Sequence, residues 1–233
     1  MGTIKLILLY TSPYSERVRW AFTFKGVPYE KKDYQPGVDE EEVKKLTGQA
    51  QVPVLLSNGA VVPDSTAILN WLEHYKPEPA LMPTADKDRA QIILWEELIG
   101  GVLIPQARML VVGRCLRAEQ AELQQRGSYF GHKYQHSQKA EEQARSTVER
   151  ILTGLKHTLE GRKYLVGHTF TRADLFTACS LNLLKPAPDD LFLIPASTRQ
   201  MYVEPLAEDP GFAGMFTWRD EMYRKHRGEA VKP

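Results

Sequence analysis

The stretch Ile4-Lys5-Leu6-Ile7-Leu8-Leu9-Tyr10-Thr11-Ser12-Pro13-Tyr14 changes pattern midway, and that change decides the fold. Ile4 to Tyr10 is short, apolar and β-prone, and reads as a buried strand. Thr11-Ser12-Pro13 then offers a hydroxyl at a helix cap and a proline at the first helical position. From Pro13 to Lys25, Val18, Ala21, Phe22 and Phe24 fall near helical spacing, and Gly26 and Pro28 end the helix. A second strand is expected over Tyr29 to Tyr34.

Outward from that unit, the acidic run Asp39 to Glu42 suits the first turn of a short helix. Val52-Pro53-Val54-Leu55-Leu56, Ser57-Asn58-Gly59 and Ala60-Val61-Val62 spell a hairpin, since Asn-Gly favours the tight turn between antiparallel strands. Asp64-Ser65 caps a helix over Thr66 to Tyr75. Lys76-Pro77-Glu78-Pro79 interrupts everything and reads as a linker. Beyond it the periodicity is helical. A long helix over Asp86 to Val112 should kink at Gly100-Gly101 and Pro105, and a second runs from Ser137 to Glu160 with Val148, Ile151, Leu152, Leu155 and Leu159 inward. Between them, polar and aromatic Gly127 to His136 reads as a loop. Thr171 to Leu184 is apolar on nearly every face and is expected to be a buried central helix. The expected domains are residues 1–76 (βαβ-α-ββα), a linker over 77–86, and an all-helical half over 87–233.

Composition narrows the function. Of 233 residues, 42% are apolar and 25% charged, and 30 basic residues against 29 acidic leave a net charge of +1, so the chain has no electrostatic footprint for nucleic acid or an anionic membrane. The uninterrupted apolar stretches stop short of the ~20 residues that span a bilayer, and no secretory signal is visible. Two cysteines make neither a disulfide framework nor a metal set, which points to a reducing cytoplasm. Cys115 is expected on a helix surface and Cys179 in the core. His132 and His136 lie four apart with no third ligand, so no metal site is expected. Arg224-Lys225-His226-Arg227 reads as a solvated tail.

Four motifs, in order, resemble the cytosolic glutathione transferases: Ser12-Pro13-Tyr14 after the first strand, Val52-Pro53 before the third, Asp64-Ser65 at the third helix, and Thr171-Arg172-Ala173-Asp174 opening the buried helix. The resemblance is to a serine-type, bacterial-like class. It implies a thioredoxin-like first domain, a helical second domain and a homodimer. It also implies an enzyme, a glutathione S-transferase, that joins glutathione to a small apolar electrophile in detoxification, with glutathione as co-substrate and no further cofactor.

Carried over residue by residue, the resemblance makes Ser12 the hydroxyl that stabilises the glutathione thiolate. The chemistry fits, because a free thiol with pKa about 8.5 is mostly protonated at neutral pH and a donor at a helix N-terminus favours the ionised form. The plain alternative for Ser12 is a helix N-cap and nothing more. Tyr10 is the alternative activator, as in the tyrosine-type classes. Gln51 stands where the family reaches the glycyl carboxylate. Val52, before a proline expected to be cis, presents its backbone to the tripeptide. Asp64 and Ser65 hold the γ-glutamyl end, with Asp64 one methylene shorter than the family's usual residue. Thr171 and Asp174 form a folding device, a capping box. Tyr14, Trp95, Arg108 and Val112 are expected to line the co-substrate pocket. Two rivals share the fold: a non-catalytic ligand-binding module, and a glutathione-dependent peroxidase or thiol reductase, which needs a cysteine where Ser12 stands.

Overall fold

The computed structural model describes residues 3–228; residues 1–2 and 229–233, the outer ends of the two expected domains, lie outside the described residues. The first half runs β1 (Ile4–Leu8), α1 (Pro13–Phe24), β2 (Glu30–Asp33), α2 (Glu40–Thr47), β3 (Val54–Ser57), β4 (Ala60–Pro63) and α3 (Ser65–Tyr75). Its sheet has the order β2-β1-β3-β4, with β1 and β2 parallel and the other pairs antiparallel. Asn58 and Gly59 both take positive φ, 49° and 80°, as the two-residue hairpin turn requires. Leu6, Leu8 and Leu55 enter one core with Val18, Phe22, Ile68 and Leu72 of the helices. Tyr10 lies past the end of β1, in a turn, so the strand is shorter than the apolar run.

The second half contains α4 (Asp86–Glu97), a π-helical segment (Leu98–Leu103), α5 (Ile104–Leu116), α6 (Ala121–Lys133), α7 (Gln138–Leu159), α8 (Arg172–Leu181), α9 (Ala196–Met201), α10 (Ala213–Met222) and a closing π turn (Tyr223–Arg227). The expected kink takes the form of that π segment, which contains Gly100-Gly101; α5 restarts just after it, so Pro105 falls in a first turn where its missing N–H costs nothing. The run Asp86–Leu116 is long and apolar enough to cross a bilayer by length and composition. Its residues Ile92, Ile99, Leu103, Ile104, Ala107 and Leu110 are instead buried in the protein core. Every residue of α8 is buried. Asp174 closes its N-terminus by accepting from the Thr171 N–H at 2.9 Å, the Thr171 hydroxyl at 2.8 Å and the Leu165 N–H at 2.7 Å.

Three expectations are corrected. Residues 127–133 are helical, as part of α6, and not loop. Gly127 is there because α6 crosses α5 so closely that a Cβ would lie 2.7 Å from the Leu116 nitrogen. That crossing also buries Cys115, to 8% exposure, where a surface position was expected. Residues 224–227 are a solvated tail only at Arg224 and Lys225, which are exposed. Arg227 is 2% exposed and paired with Glu16 at 2.8 Å, and the His226 ring stacks on Phe170 at 4.2 Å.

Candidate active site

Strand register assembles the site. Val54 pairs with Ile7 on one side and with Pro63 on the other. The segments that leave the sheet at that end therefore include residues 9–12, 51–53 and 64–65, three of the four motifs, beside the end of β2 at Asp33. The Val52–Pro53 peptide is cis, as expected. Val52 is half-buried there and Gln51 is exposed beside it.

Ser12 is the N-cap of α1, half-buried, with its Oγ accepting from the Ser15 N–H across a long 3.5 Å. Nothing among the described residues accepts a hydrogen bond from its hydroxyl. The Tyr10 hydroxyl, in contrast, donates to the Leu193 carbonyl at 2.6 Å, and its ring is parallel to that of Phe192 with Arg19 above it at 4.4 Å. Burial raises the Tyr10 phenol above its ordinary pKa, with Arg19 opposing. The Tyr10 hydroxyl is thus engaged within the protein, whereas that of Ser12 donates to nothing among the described residues.

Asp64 adopts φ 76° and caps α3, with Oδ1 accepting from Thr66 N–H at 2.8 Å and Ala67 N–H at 3.0 Å. Ser65 is 2% exposed. Beneath it lies a group that the sequence reading missed. The Arg17 guanidinium, fully buried, reaches the Ser65 Oγ at 3.5 Å and the Thr66 Oγ1 at 3.3 Å and is ion-paired with Glu96. Arg172 joins the same Glu96 at 3.1 Å and donates to Asn70 at 2.6 Å. Burial pushes Arg17 down to about 10, with Glu96 opposing. A cation is thus fixed under the N-terminus of α3, where a ligand carboxylate would be favoured twice over. The signal for it in sequence is weak: an arginine on the inward side of an amphipathic helix, meaningful only once a glutamate from the second half is seen to meet it.

The co-substrate residues divide. The Tyr14 hydroxyl donates to the Gly100 carbonyl in the π segment at 2.7 Å, which ties α1 to the helical half. Burial raises the Tyr14 phenol, opposed first by Arg108. Arg108 is half-buried, with its guanidinium carbon 4.3 Å from the centroid of Tyr134. The Arg108 charge thus acts on the Tyr14 hydroxyl. Trp95 is half-buried against the main core on α4. Val112 is 3% exposed and lies under α6 at Gly131, so the α5–α6 contact closes it off from any open wall. Among the described residues, no three His, Cys, Asp or Glu side chains gather as a metal group.

A thioredoxin-like four-stranded domain with a cis-proline, followed by a helical second half, is the two-domain architecture of the glutathione transferase fold. The chain belongs to the glutathione S-transferase family. The family's N-terminal domain matches residues 6–80 and its C-terminal domain residues 113–189. A maleylacetoacetate isomerase of Dictyostelium discoideum is 30% identical over 173 residues, 71% of this chain and 72% of that one. A probable glutathione S-transferase of Nicotiana tabacum is 26% identical over 180 residues, 75% of this chain and 68% of that one. Among solved structures, a glutathione S-transferase of Methylobacillus flagellatus with glutathione bound superposes with a TM-score of 0.67 at 23% identity, covering 96% of each chain.

Proposed function

We propose that the chain is a glutathione transferase in which Ser12 activates the thiol. Glutathione lies along the rim made by residues 9–12, 51–53 and 64–65. Its γ-glutamyl carboxylate sits at the N-terminus of α3 over Ser65, with Asp64 beside it and Arg17 beneath. Its cysteinyl backbone pairs with Val52 ahead of Pro53, and its glycyl carboxylate meets Gln51. The Ser12 hydroxyl donates to the sulfur, and the positive end of α1 adds to that stabilisation. The thiolate attacks the electrophilic carbon of a small molecule held beside Tyr14 and Arg108. A carbon–sulfur bond forms as the leaving group departs with its bonding electron pair, or as the π pair of a carbon–carbon double bond moves to the neighbouring carbon, which takes up a proton. Glutathione is the second substrate and no further cofactor is invoked.

The observation that carries this reading is the Ser12 hydroxyl, poised at a helix N-terminus with nothing among the described residues accepting from it. A thiol reductase is disfavoured by the same residue, because Cys115 and Cys179 are buried in the helical half at 8% and 2% exposure. Steady-state turnover of 1-chloro-2,4-dinitrobenzene with glutathione tests the reading, and tight glutathione binding without turnover would favour the non-catalytic module. We extend the proposal to detoxification in the cytoplasm by a homodimer, the first domain of one subunit facing the helical domain of its partner, with the units dividing over 77–86. Sedimentation giving only a 26.5 kDa species would remove the dimer.

A further inference from the structure

The turn that carries Ser12 is tied to the helical half on both sides of that residue. Among the described residues, three tyrosine hydroxyls make the ties, at residues 10, 11 and 14. Tyr10 donates to the Leu193 carbonyl at 2.6 Å and Tyr14 to the Gly100 carbonyl at 2.7 Å. Tyr202, reaching from the other half, donates to the Thr11 carbonyl at a longer 3.5 Å. Within the turn, the Ser12 N–H donates to the Leu9 carbonyl at 3.1 Å, and the Ser15 hydroxyl accepts from the Leu9 N–H at 3.1 Å. Burial raises all three phenols above their ordinary pKa, so they stay protonated donors at neutral pH.

The acceptor for Tyr14 is prepared by the sequence of the π segment. Ile104 donates its N–H to the Ile99 carbonyl, five residues back. In that pattern the Gly100 carbonyl is due the N–H of residue 105, which is proline and has none to give. The Tyr14 hydroxyl takes its place. A Cβ at Gly100 would lie 3.0 Å from the Phe176 ring and 3.8 Å from that of Tyr14, so glycine lets α8 and α1 close on the same carbonyl. Phe176 packs on Tyr14 with ring centroids 5.6 Å apart, and the Arg17 guanidinium lies 3.8 Å from its centroid. The Tyr202 end is fixed as well, since Arg114 donates to the Met201 carbonyl at 2.7 Å and is ion-paired with the buried Glu204.

We propose that Tyr14, and Tyr202 in second place, are positioning residues for thiol activation: their hydroxyls lock the β1–α1 turn to the helical half, and that half thereby keeps the Ser12 hydroxyl aimed at the sulfur of glutathione. The inference rests on the transferase reading and deepens it. A donor to a developing thiolate is worth most when it is in place beforehand, because a donor that must reorganise gives back part of what it gains.

The test begins with Tyr14→Phe, which removes the phenolic oxygen and keeps the ring. With glutathione and 1-chloro-2,4-dinitrobenzene, kcat/KM should fall about three- to tenfold at neutral pH, the net worth of one neutral hydrogen bond. The fall should lie in kcat, with KM for both substrates nearly unchanged, and it should shrink as the pH rises. The pKa of the bound thiol, read from the ultraviolet absorbance of the thiolate, should rise. In a Ser12→Ala background the same change should cost less than about twofold, because nothing is left to position. Tyr202→Phe should repeat the pattern at smaller size, as its longer contact requires. A Tyr14→Phe effect of equal size with and without the Ser12 hydroxyl, or a bound-thiol pKa unmoved in both tyrosine variants, overturns the inference and leaves the transferase reading standing. An unaltered protein that binds glutathione without ionising its thiol overturns that reading, and the inference with it.

Discussion

Two polar sites on the first turns of α1 are built in opposite ways. At the cap, Ser12 has one long acceptor contact and a hydroxyl with nothing among the described residues to accept from it. Little more than a turn further on, Arg17 is 1% exposed and held by Glu96, Ser65 and Thr66. Groups that hold the two halves together are saturated by partners of the same chain. Groups at the rim are left short of partners, as a site that must accept and release a ligand requires.

The largest effect should come from breaking the saturated side. Glu96→Ala leaves two buried guanidinium groups, Arg17 and Arg172, without their counter-charge, and such a loss costs about 3–5 kcal/mol. Urea unfolding followed by tryptophan fluorescence measures it. Because Arg17 also touches Ser65 and Thr66, the KM for glutathione should rise in the same variant. A loss under about 1 kcal/mol would show that the network is decoration and would break the contrast.

Next is the open side. Ser12→Ala should lower turnover at neutral pH about ten- to a hundredfold, the worth of one hydrogen bond to a charged group, with glutathione affinity nearly unchanged. The defect should shrink as pH rises, because solution then supplies the thiolate unaided. Thermal stability should move little, since the capping contact is already stretched to 3.5 Å. Full activity in Ser12→Ala with loss in Tyr10→Phe would transfer the role to Tyr10, whose hydroxyl now serves the Leu193 carbonyl.

Local signals carried the reading of the first half. Alternation, Asn58-Gly59, Pro13 and the Asp64 cap are each settled by a few neighbouring residues, and β1 to α3 follow from them. What was illegible depends on pairs far apart in the chain. Arg17 with Glu96 spans 79 positions and Arg227 with Glu16 spans 211, so neither cluster announces itself by spacing. Residues 127–133 misled for a related reason. Gly127 and Gly131 weaken a helix in isolation, yet in place Gly127 is what lets α6 lie on α5. Of the rim, Ser12, Val52-Pro53 and Asp64-Ser65 were legible because each is a local backbone device at a sheet end. The cation beneath them was not.

A smaller effect separates capping from ligand binding at Asp64. Asp64→Ala removes an oxygen that accepts from two N–H groups and puts a Cβ-bearing residue without a polar side chain at φ 76°. The cap alone is worth about 1 kcal/mol. Asp64→Asn should recover most of that, since asparagine caps helices and tolerates positive φ. If Asp64→Asn restores thermal stability but leaves the KM for glutathione raised, Asp64 serves the ligand by its charge.

The smallest expected effect lies where α1 meets the closing π turn. Arg227 is paired with Glu16, but its neighbour His226 has no carboxylate partner among the described residues: its ring lies 4.2 Å from that of Phe170, and its Nε2 is 3.1 Å from the Tyr164 hydroxyl. Burial, with Lys225 and Lys163 nearby, pushes its pKa down to about 4 from an ordinary 6.5. A histidine depressed in this way stabilises the fold in full above about 6.5, and that contribution is lost as the pH falls toward about 4. Asp174 runs the other way, because burial raises it to about 6 and its protonation favours the folded chain as pH falls through that value. The thermal midpoint alone mixes the two. His226→Phe keeps an aromatic face for Phe170 and removes the titrating group, so its midpoint should fall less between pH 7 and pH 5 than that of the unaltered protein. Partial exposure of the ring keeps the difference small. Identical pH slopes in the two proteins would show that His226 charges without disturbing its dock, and the turn would then belong with the adaptable rim instead of the saturated interior.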